Sequence, residues 1–460
     1  MNRKVYFACA CMALAAAAAC ASTEDDPGGV DPGSDSGTPL PDAGEASAPE
    51  EADAGPEDAA VDTGPSCSSM GWCATQLPDP DLTLRDVWPF PGSALAIATS
   101  PTVGTKILEW TDAAGAWRYV DDNSQNEGGR GRFVGKLWAS SADELYFTVA
   151  PRTVFRGRRS GSPATWTWTH SDLEDRTPVY PAPTSYPDHF KGFPKAAATF
   201  VQHAALGVFG TSVNDVYAWF GNAIYKMSID AAGAPAWSVE YVADDIDRPD
   251  EQLIFVAGTG TGPDDMWFAG GRTGGPDDQR GCVMLVHKTA AGYRRVADAI
   301  GVASPPPPNP IPLPPPPPHI YCQARPDRLL LPGTNGIGSW LTDISVESAN
   351  SVVALNGQKT LARISVNGDV YSASTLTVPP SVAVRSIISL WSAPNEPIWL
   401  GGTGLVARGQ GVWSDAGAFE ISSIALNGAP LLAELYRIRA SSSSDRWAVG
   451  ARYALHKTTP

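Results

Sequence analysis

From about residue 72 onward, hydrophobic and polar residues alternate in short segments that are separated by glycine, aspartate and serine. Such alternation is typical of β-strands that bury one face. No part of this region shows the sustained 3.6-residue period of a long amphipathic helix. The pattern therefore predicts an all-β fold built from short strands and frequent turns.

One short pattern recurs along this region: small polar residues, an acidic position, a hydrophobic residue and an aromatic residue. Its clearest copy spans residues 260–271 and contains Asp264, Asp265 and Trp267. Seven copies align at Ala94, Glu144, Asp215, Asp265, Ser351, Pro397 and Asp445. Four of the intervals are 46–50 residues long, and the other two are 71 and 86 residues. The spacing indicates a repeat architecture that carries two insertions.

Each copy is followed by a short strand that ends in a basic or polar residue, and then by a turn and another strand. Four antiparallel strands in about 45–50 residues form one blade of a β-propeller. We therefore predict an all-β, seven-bladed β-propeller of four-stranded antiparallel blades, with six or eight blades as alternatives. The seventh copy ends at Pro460 after its third strand. Residues 72–77 are predicted to supply the missing outer strand and to close the ring.

The repeated residues have structural roles in this scheme. Small residues and aspartate favour tight turns because their side chains bond nearby backbone N–H groups. The aromatic residue, such as Trp267, is expected to pack between neighbouring blades. Glycines such as Gly270 and Gly271 permit the next turn. The paired acids Asp264 and Asp265 are therefore interpreted as parts of a turn and not of a catalytic site.

The repeat is close to S-x-x-D-φ-W-φ-φ-G, where φ is hydrophobic, and it resembles the repeat propellers of bacterial secreted lipoproteins, as in deltaproteobacteria. The resemblance covers residues 84–457 and is strongest in blades two, three, four, six and seven. Blades one and five lack the aspartate and the aromatic residue, which leaves their boundaries open. The resemblance implies a fold and an envelope location, and it implies no particular chemistry.

Residues 1–20 have the features of a lipoprotein-type export signal. Two basic residues precede an apolar run over residues 5–19, which is too short and too alanine-rich for a transmembrane helix. The run ends at Cys20, as in a bacterial lipobox, although Ala17 stands where leucine is usual. Cys20 is the predicted lipidation site. Ordinary cleavage near Ala19 or Ala21, without a lipid, is the alternative.

Residues 21–66 contain thirteen acidic residues, no lysine or arginine, and no aromatic residue. Such a segment buries too little apolar surface to offset its ordering entropy, so we predict a disordered tether. As a flexible coil it would span about 35–40 Å. The rest of the chain after the signal, essentially the predicted propeller at residues 67–460, has 31 basic and 36 acidic residues, a net charge of −5 against −16 for the whole chain. This mild acidity, without a basic stripe, argues against a nucleic-acid partner.

No later segment reaches 18 consecutive apolar residues, which is about the length that a membrane-spanning helix needs. A connection to the membrane is therefore expected through the lipid anchor alone. We predict an exported monomer that is lipid-anchored to the cell envelope, at the outer membrane or the cell surface.

Four cysteines remain after the signal, and an even number in an exported protein predicts disulfides. They are Cys67, Cys73, Cys282 and Cys322. Three pairings are possible. We favour Cys67–Cys73, which are close in sequence, and Cys282–Cys322, which would fasten the base of an insertion. No C-x-x-C motif occurs, so a zinc site is not expected.

A sialidase-like glycoside hydrolase is the alternative function, because Asp-box turns occupy the same place as the turns that contain Asp112 and Asp415. Neither turn matches the Asp box fully, and sialidase chemistry also needs an arginine cluster and a tyrosine nucleophile. The arginines on predicted inner strands are Arg85, Arg437 and Arg439. We expect them to pair with acids such as Asp86 or Glu434. No residue is assigned a catalytic role.

The chain shows no convincing metal motif. His287 and His456 occupy matching positions in third strands, each before a lysine, so repetition explains them better than metal ligation. Loop carboxylates leave calcium as an alternative, since Ca²⁺ binds several oxygen ligands. These acids are Asp244, Asp245, Asp247, Asp264, Asp265, Asp277 and Asp278. They lack D-x-D-x-D-G spacing, so no cofactor is predicted.

Two insertions depart from the repeat, at residues 176–199 and 303–331. The first carries an aromatic set among prolines: Tyr180, Tyr186, His189, Phe190 and Phe193. The second contains two proline runs that favour a stiff polyproline II segment. Departures from a repeat often carry function, although neutral loop growth is the alternative. We predict a module that binds an unknown protein or glycan through these insertions and one mouth of the channel. A structural envelope protein is a further alternative.

Overall fold

The computed structural model describes residues 66–459, and the gaps are 132, 177–204, 232, 245–251, 274–280, 304–319, 332–339, 357–359, 380–386, 415–416 and 427. The signal, Cys20 and the tether up to residue 65 lie outside the described residues. The described residues belong to one compact unit, Asp62–Pro460. Among them, no helix has both the length and the apolar character that crossing a membrane requires.

Seven antiparallel sheets follow one another along the chain, and each forms one blade. Blades one to three contain β2 Thr83–Phe90, β3 Ser93–Ser100, β4 Gly104–Thr111, β5 Ala116–Tyr119, β6 Val134–Ser141, β7 Glu144–Val149, β8 Thr153–Ser160, β9 Thr165–Asp172, β10 Leu206–Ser212, β11 Asp215–Phe220, β12 Ala223–Ile229 and β13 Pro235–Val242. Blade four contains β14 Gln252–Gly262, β15 Asp265–Thr273, β16 Gly281–Thr289, β17 Gly292–Ala303 and β18 Ile320–Ala324.

Blades five and six contain β19 Leu341–Ser348, β20 Ser351–Asn356, β21 Thr360–Asn367, β22 Val370–Thr377, β23 Ile387–Trp391, β24 Ile398–Gly402, β25 Leu405–Gln410 and β26 Ala418–Ser423. A short hairpin follows, with β27 Ala425–Leu426 and β28 Ala429–Pro430. Blade seven contains β29 Leu435–Ser442, β30 Asp445–Gly450, β31 Tyr453–Lys457 and β1 Cys73–Ala74.

The first strand of each blade contacts the first strand of the next, and β29 of blade seven contacts β2 of blade one. These first strands therefore surround a central channel, and the prediction of a seven-bladed all-β propeller is confirmed. Blade four departs from the four-stranded pattern. Its fifth strand, β18, comes from the second predicted insertion and pairs with the end of β17.

The ring closes where the sequence analysis placed the closure. In the short strand β1, Cys73 pairs with His456, and Ala74 pairs with Leu455. Trp72 is fully buried there, with its ring centroid 6.1 Å from that of Trp399 in blade six. The outer strand of blade seven thus comes from the start of the propeller, which leaves no open break in the ring.

Burial within a blade follows from the position of each strand. The second strands, such as β7 and β11, are buried on both faces because neighbouring blades cover them. The fourth strands β9 and β22 alternate between exposed and partly buried residues, as expected at an outer edge. Each sheet is thus sandwiched near the channel and half-solvated at its rim.

Strand register corrects one detail of the repeat. In blade one, Phe90 pairs with Ser93 across the first turn, so Ser93 and not Ala94 occupies the acidic position. The aromatic position then falls on Leu95 in blade one and on Val353 in blade five. Both residues are buried in the core. The two weak copies therefore form complete blades with aliphatic residues in place of aromatic ones.

The two faces of the propeller carry different parts of the chain. We call the face with the turns between first and second strands, such as residues 142–143 and 263–264, the turn face. The opposite face, which carries the links between blades, is the connection face. The described ends that flank both predicted insertions lie on the connection face, since β9 and β17 end there. The structure contains both favoured disulfides, Cys67–Cys73 and Cys282–Cys322.

Candidate binding site at the mouth of the channel

The acid of the clearest repeat copy lies in a side-chain cluster inside blade four. The Asp265 carboxylate is 2.9 Å from Trp267 Nε1 and 2.9 Å from His287 Nε2, and it accepts a hydrogen bond from the Thr261 hydroxyl. The Trp267 and His287 rings stack at 3.8 Å and 9°. Burial alone would raise the pKa of the Asp265 carboxyl, but these hydrogen bonds outweigh burial and lower the pKa. The carboxylate is thus used to hold its own blade together.

Blade seven repeats this arrangement. Asp445 lies 2.8 Å from His456 Nε2 and accepts a hydrogen bond from Ser441, while the Trp447 and His456 rings stack at 4.0 Å and 10°. Hydrogen bonds again lower the pKa of the Asp445 carboxyl although burial opposes them. The acids were correctly interpreted as structural. Their carboxylates, however, bond side chains within the blade, where the sequence analysis expected backbone N–H groups of the turn.

A basic residue faces the aromatic position across the second and third strands in most blades. The cross-strand pairs are Tyr146 with Arg156, Tyr217 with Lys226, Trp267 with His287, Val353 with Arg363, Trp399 with Arg408, and Trp447 with His456. In blade two, Arg156 Nε lies 2.8 Å from Glu144, the acid of that copy. In blades two, three, four and seven the set also contains the acid of the repeat, and we call it an acid–aromatic–base cluster. The two histidines are therefore members of a repeated column, as their matching positions indicated.

A second polar network lies on the channel wall and does not repeat. At one register position of the first strands, the residues differ from blade to blade: Asp86, Gly207, Ala257, Asp343, Ser389 and Arg437. In blade two, Lys136 lies at the corresponding irregularity between Val134 and Leu137. We call Asp86, Lys136, Asp343, Arg437 and Arg439 the channel cluster.

Asp86 joins three blades. Its carboxylate accepts the backbone N–H groups of Val87 at 2.9 Å and of Leu137, in blade two, at 3.1 Å. It also lies 3.2 Å from Arg437 Nε and 3.3 Å from Arg439 Nε, both in blade seven. Burial opposes ionisation, but the neighbouring cations outweigh burial and lower the pKa of the Asp86 carboxyl.

Asp343 has the same role on the other side of the channel. It accepts the N–H group of Leu390 in blade six at 2.8 Å, and Arg437 Nη1 at 2.6 Å. The pKa of its carboxyl is also lowered, because Arg437 and Lys136 outweigh the effect of burial. Arg437 therefore bridges two buried carboxylates that belong to blades one and five.

Lys136 is the cation of the channel cluster that has no direct partner. Its ammonium forms no hydrogen bond or ion pair with the described residues, although it interacts electrostatically with Asp86 and Asp343. Its enclosed position, together with Arg437, lowers the pKa of the Lys136 ammonium to about 8. The cluster contains three cations and two carboxylates, so it carries one excess positive charge near neutral pH.

A cavity of about 650 Å³ opens at the turn face above this cluster. Its lining comes from blades one to four: Trp88, Phe90, Trp138, Ala139, Ser140, Ser141, Glu144, Gly210, Thr211, Ser212, Val213, Gly260 and Thr261. Trp88 and Trp138 lie two residues beyond Asp86 and Lys136 on the same strands. We call this space the mouth cavity. It combines aromatic walls with a rim of hydroxyl groups.

Trp88 links the mouth cavity to the channel cluster. Its ring packs edge-on against Trp138 at 6.4 Å and against Phe209 at 6.1 Å. The Arg439 guanidinium lies 4.6 Å from the centre of the same ring, within cation–π distance. Trp88 is only partly buried, so one side remains available at the cavity. A ligand in the mouth would contact an aromatic wall backed by positive charge.

The inner-strand arginines were expected to pair with acids, and two of them do. Arg437 and Arg439 pair with Asp86, as described above. Arg85 instead donates to the Thr99 hydroxyl at 3.3 Å and lies over the Tyr436 ring at 4.6 Å. These arginines are engaged in contacts within the propeller.

The predicted binding residues of the first insertion, Tyr180, Tyr186, His189, Phe190 and Phe193, lie outside the described residues. The mouth cavity and Lys136 were missed by sequence reasoning. The signal that could have found them is the column of first-strand residues, which differs from blade to blade while its neighbours repeat.

A second, smaller cavity of about 440 Å³ lies beside blade four. Arg295 and Arg325 approach Asp298 there at 3.3 and 3.7 Å, and the buried Arg272 lies 2.6 Å from the same acid. One carboxylate therefore organises three arginines next to the fifth strand. Through Arg325, which directly follows β18, this cluster connects the fifth strand to Asp298 of β17.

The described residues contain no group of three or more His, Cys, Asp or Glu side chains that could hold a metal ion such as calcium. Of the loop acids considered, Asp264 is 3.8 Å from Lys288, and Asp265 belongs to the cluster described above. Asp245, Asp247, Asp277 and Asp278 lie outside the described residues.

The fold resembles solved propellers at low sequence identity. YCF48 from Cyanidioschyzon merolae is 14% identical, with a TM-score of 0.47, over 85% of this chain and 99% of that chain. A structure of YCF48 bound to D1 peptide is 11% identical, with a TM-score of 0.49, over 86% and 99%. The RRP9 WD40 repeats are 10% identical, with a TM-score of 0.47, over 86% and 99%. No protein family and no curated protein sequence matches the chain.

Proposed function

We propose that this protein is a non-catalytic binding module, exported and lipid-anchored to the cell envelope through Cys20, that binds a segment of a partner protein in the mouth cavity. The observation that carries the proposal is the cavity itself, which places partly exposed Trp88 and a rim of hydroxyl groups at the channel entrance. Binding sites typically combine apolar walls with a few directed polar groups.

The arrangement of the aromatic rings favours a protein segment over a glycan. Stacking a sugar ring between aromatic side chains needs two flat, open faces, and the mouth cavity offers only one open face of Trp88. Arg439 covers one face of Trp88, Trp138 is only 3% exposed, and the two indole planes meet at 68°. Side chains and backbone groups of a polypeptide can instead fill a cavity with edge-on rings and donate to its hydroxyl rim.

Four carboxylates of the repeat turns and the channel support a binding role. Glycoside hydrolysis needs two carboxyl groups placed on either side of a bond, with water or a nucleophile between them. Asp265, Asp445 and Asp86 are each held by several donors within the propeller. Glu144, at the cavity wall, is paired with Arg156 at 2.5 Å. These four carboxylates therefore stabilise the propeller, as expected in a binding module.

A peptide-display selection tests the binding proposal. The bait is the full chain with Cys20→Ser, which removes the expected lipidation site, and a glycan array is probed in parallel. We expect enriched peptides that lose affinity at least about tenfold with Trp88→Ala. The control is Trp166→Ala, because Trp166 is a partly buried indole on the outer strand of blade two. Binders that are indifferent to Trp88, or hits on the glycan array alone, would contradict the proposal.

Mass spectrometry of the mature N-terminus tests the anchor. We expect a diacyl- or triacyl-modified Cys20 and no signal residues before it. An unmodified N-terminus at Ala19, Cys20 or Ala21 would show ordinary cleavage and would contradict the lipid-anchor proposal.

A further inference from the structure

We infer that the channel cluster is an anion site, and that it takes the carboxylate of a ligand whose apolar part lies against Trp88 and Trp138. The inference rests on the proposed function in one respect: the ligand is taken to reach the channel cluster through the mouth cavity. It assigns a chemical class to the ligand group that reaches the channel.

Charge balance is the first step of the argument. Arg437, Arg439 and Lys136 face two carboxylates, Asp86 and Asp343. Both acids have their neighbouring donors in place, including backbone N–H groups from the next blade. One cation is therefore left uncompensated within a channel wall, where an isolated charge is costly because water is restricted.

Geometry identifies Lys136 as the cation that an anion would meet. Arg437 is 3% exposed and bridges the two acids, so it is not available. Arg439 is bound to Asp86 and packed on Trp88. Lys136 is only partly buried, and its ammonium has no hydrogen-bond or ion-pair partner among the described residues. It lies two residues, about 7 Å along the strand, from the cavity-lining Trp138.

No charged side chain on the neighbouring strands supplies the missing anion. Lys136 lies on β6, between β2 and β10 in the ring and beside β7 in its own blade. On β2, Asp86 is already paired, and Arg85 is held by Thr99 and Tyr436. The strand β10 contains no charged residue. On β7, Glu144 is paired with Arg156. Across the channel, Asp343 is bound by Arg437.

The order of the groups sets the shape of the ligand. Along β6 from the turn face, the cavity-lining Ser141, Ser140 and Trp138 come first and Lys136 follows. On β2, the cavity-lining Trp88 likewise comes before Asp86. The ligand is therefore expected to place its carboxylate at the channel cluster and an apolar or aromatic group at the mouth cavity. Since the ammonium must be protonated to hold a carboxylate, binding will weaken at alkaline pH. The pKa of Lys136, about 8, places this loss within an accessible range.

Isothermal titration calorimetry with benzoate tests the site directly, using the full chain with Cys20→Ser. Benzamide has the same shape without the charge, and acetate has the charge without the ring. We expect benzoate to bind more tightly than either, and Lys136→Met to weaken it at least about tenfold, as for loss of a charge-assisted hydrogen bond. Lys226→Met is the matched control, since Lys226 lies 3.7 Å from Asp215 in blade three.

The pH dependence of benzoate affinity distinguishes a lysine that binds the ligand from one with a purely structural role, which would not change this dependence. Benzoate affinity should be constant from pH 6 to 7.5 and fall about tenfold per pH unit well above pH 8. Lys136→Gln serves as a second variant, and thermal unfolding reports whether both variants fold. Equal affinity in wild type and Lys136→Met, a flat profile to pH 9.5, or no binding of benzoate to wild type would overturn the inference. Peptides selected through Trp88 would leave the proposed function standing in each case.

Discussion

The acid–aromatic–base clusters and the channel cluster both pair acids with bases, but they differ in how they relate to the repeat. Asp265 and His287 in blade four have near-identical counterparts in Asp445 and His456 of blade seven. The channel position instead holds an acid, a glycine, a serine or an arginine, depending on the blade. A side chain that recurs at one place in each blade serves the blade. The charged side chains at the varying channel position instead join different blades to one another.

The largest expected effect comes from removing the bridge in the channel cluster. Arg437→Met should lower the free energy of unfolding by about 3–5 kcal/mol, because it leaves Asp86 and Asp343 buried without their main counter-charge. Urea denaturation at pH 7 measures the loss. Arg408→Met, in the outer part of blade six, is the control and should cost much less. A loss below 1 kcal/mol for Arg437→Met would show that the two acids are hydrated or otherwise compensated.

The paired acids of the opening repeat copy should differ sharply from each other. Asp265→Ala removes the acceptor for Thr261, Trp267 and His287, and we expect a loss of about 1–3 kcal/mol. Asp264 is 65% exposed with a loose contact to Lys288, so Asp264→Ala should stay within about 0.5 kcal/mol. Thermal unfolding of the two variants side by side measures the difference. Equal losses would mean that the acids act together in the turn.

Lys136→Met should act in the opposite direction to Arg437→Met and stabilise the protein by about 1–2 kcal/mol at pH 7, allowing for its partial exposure. The pKa of Lys136 is lowered to about 8 in the folded state and is about 10.4 in an unfolded chain. The penalty of charging it is therefore fully present below pH 8 and gone above about pH 10.4. Denaturation curves at pH 7 and pH 10.5 measure the change. A variant that is less stable at pH 7 would contradict an uncompensated cation.

The smallest expected effect is on the stability of the protein at acidic pH. The pKa values of the Asp265 and Asp445 carboxyls are lowered in the folded state, so their stabilisation is complete above the unfolded value of about 3.9. It is lost as the pH falls from there through the folded pKa. Asp265→Asn should flatten the decline of stability below pH 4. Tryptophan fluorescence followed during acid titration gives the midpoint, and an unchanged slope in the variant would show that Asp265 does not contribute.

The repeat made much of this molecule readable from sequence. The blade number, the closure through residues 72–77 and the structural use of Asp265 all follow from a pattern that occurs several times, and Cys282 and Cys322 pair as favoured. The channel cluster was not readable in the same way, because Asp86, Lys136 and Asp343 are far apart in the chain and meet only after the ring closes. Only the pairing of the inner-strand arginines Arg437 and Arg439 with an acid such as Asp86 was anticipated. The register of blade one was misplaced by one residue since Leu95 gives no aromatic marker.

The fifth strand of blade four is a second feature that could not be predicted from the sequence. A proline-rich insertion predicts a loop or a stiff rod, yet residues 320–324 within it pair with β17. The Cys282–Cys322 bond and the Arg325–Asp298 ion pair lie beside this pairing and join residues that are far apart in sequence. Contacts that arise between distant segments carry no local signal in the sequence.

The most direct test of the central claim is an NMR titration of the protein labelled with ¹⁵N in its tryptophan indoles, using a peptide selected as described above. The claim is that the mouth cavity binds and that the acid–aromatic–base clusters only build blades. It predicts that the indole signals of Trp88 and Trp138 shift with peptide, while those of Trp267 and Trp447 stay in place. Shifts confined to Trp267 and Trp447, with Trp88 and Trp138 unchanged, would contradict it.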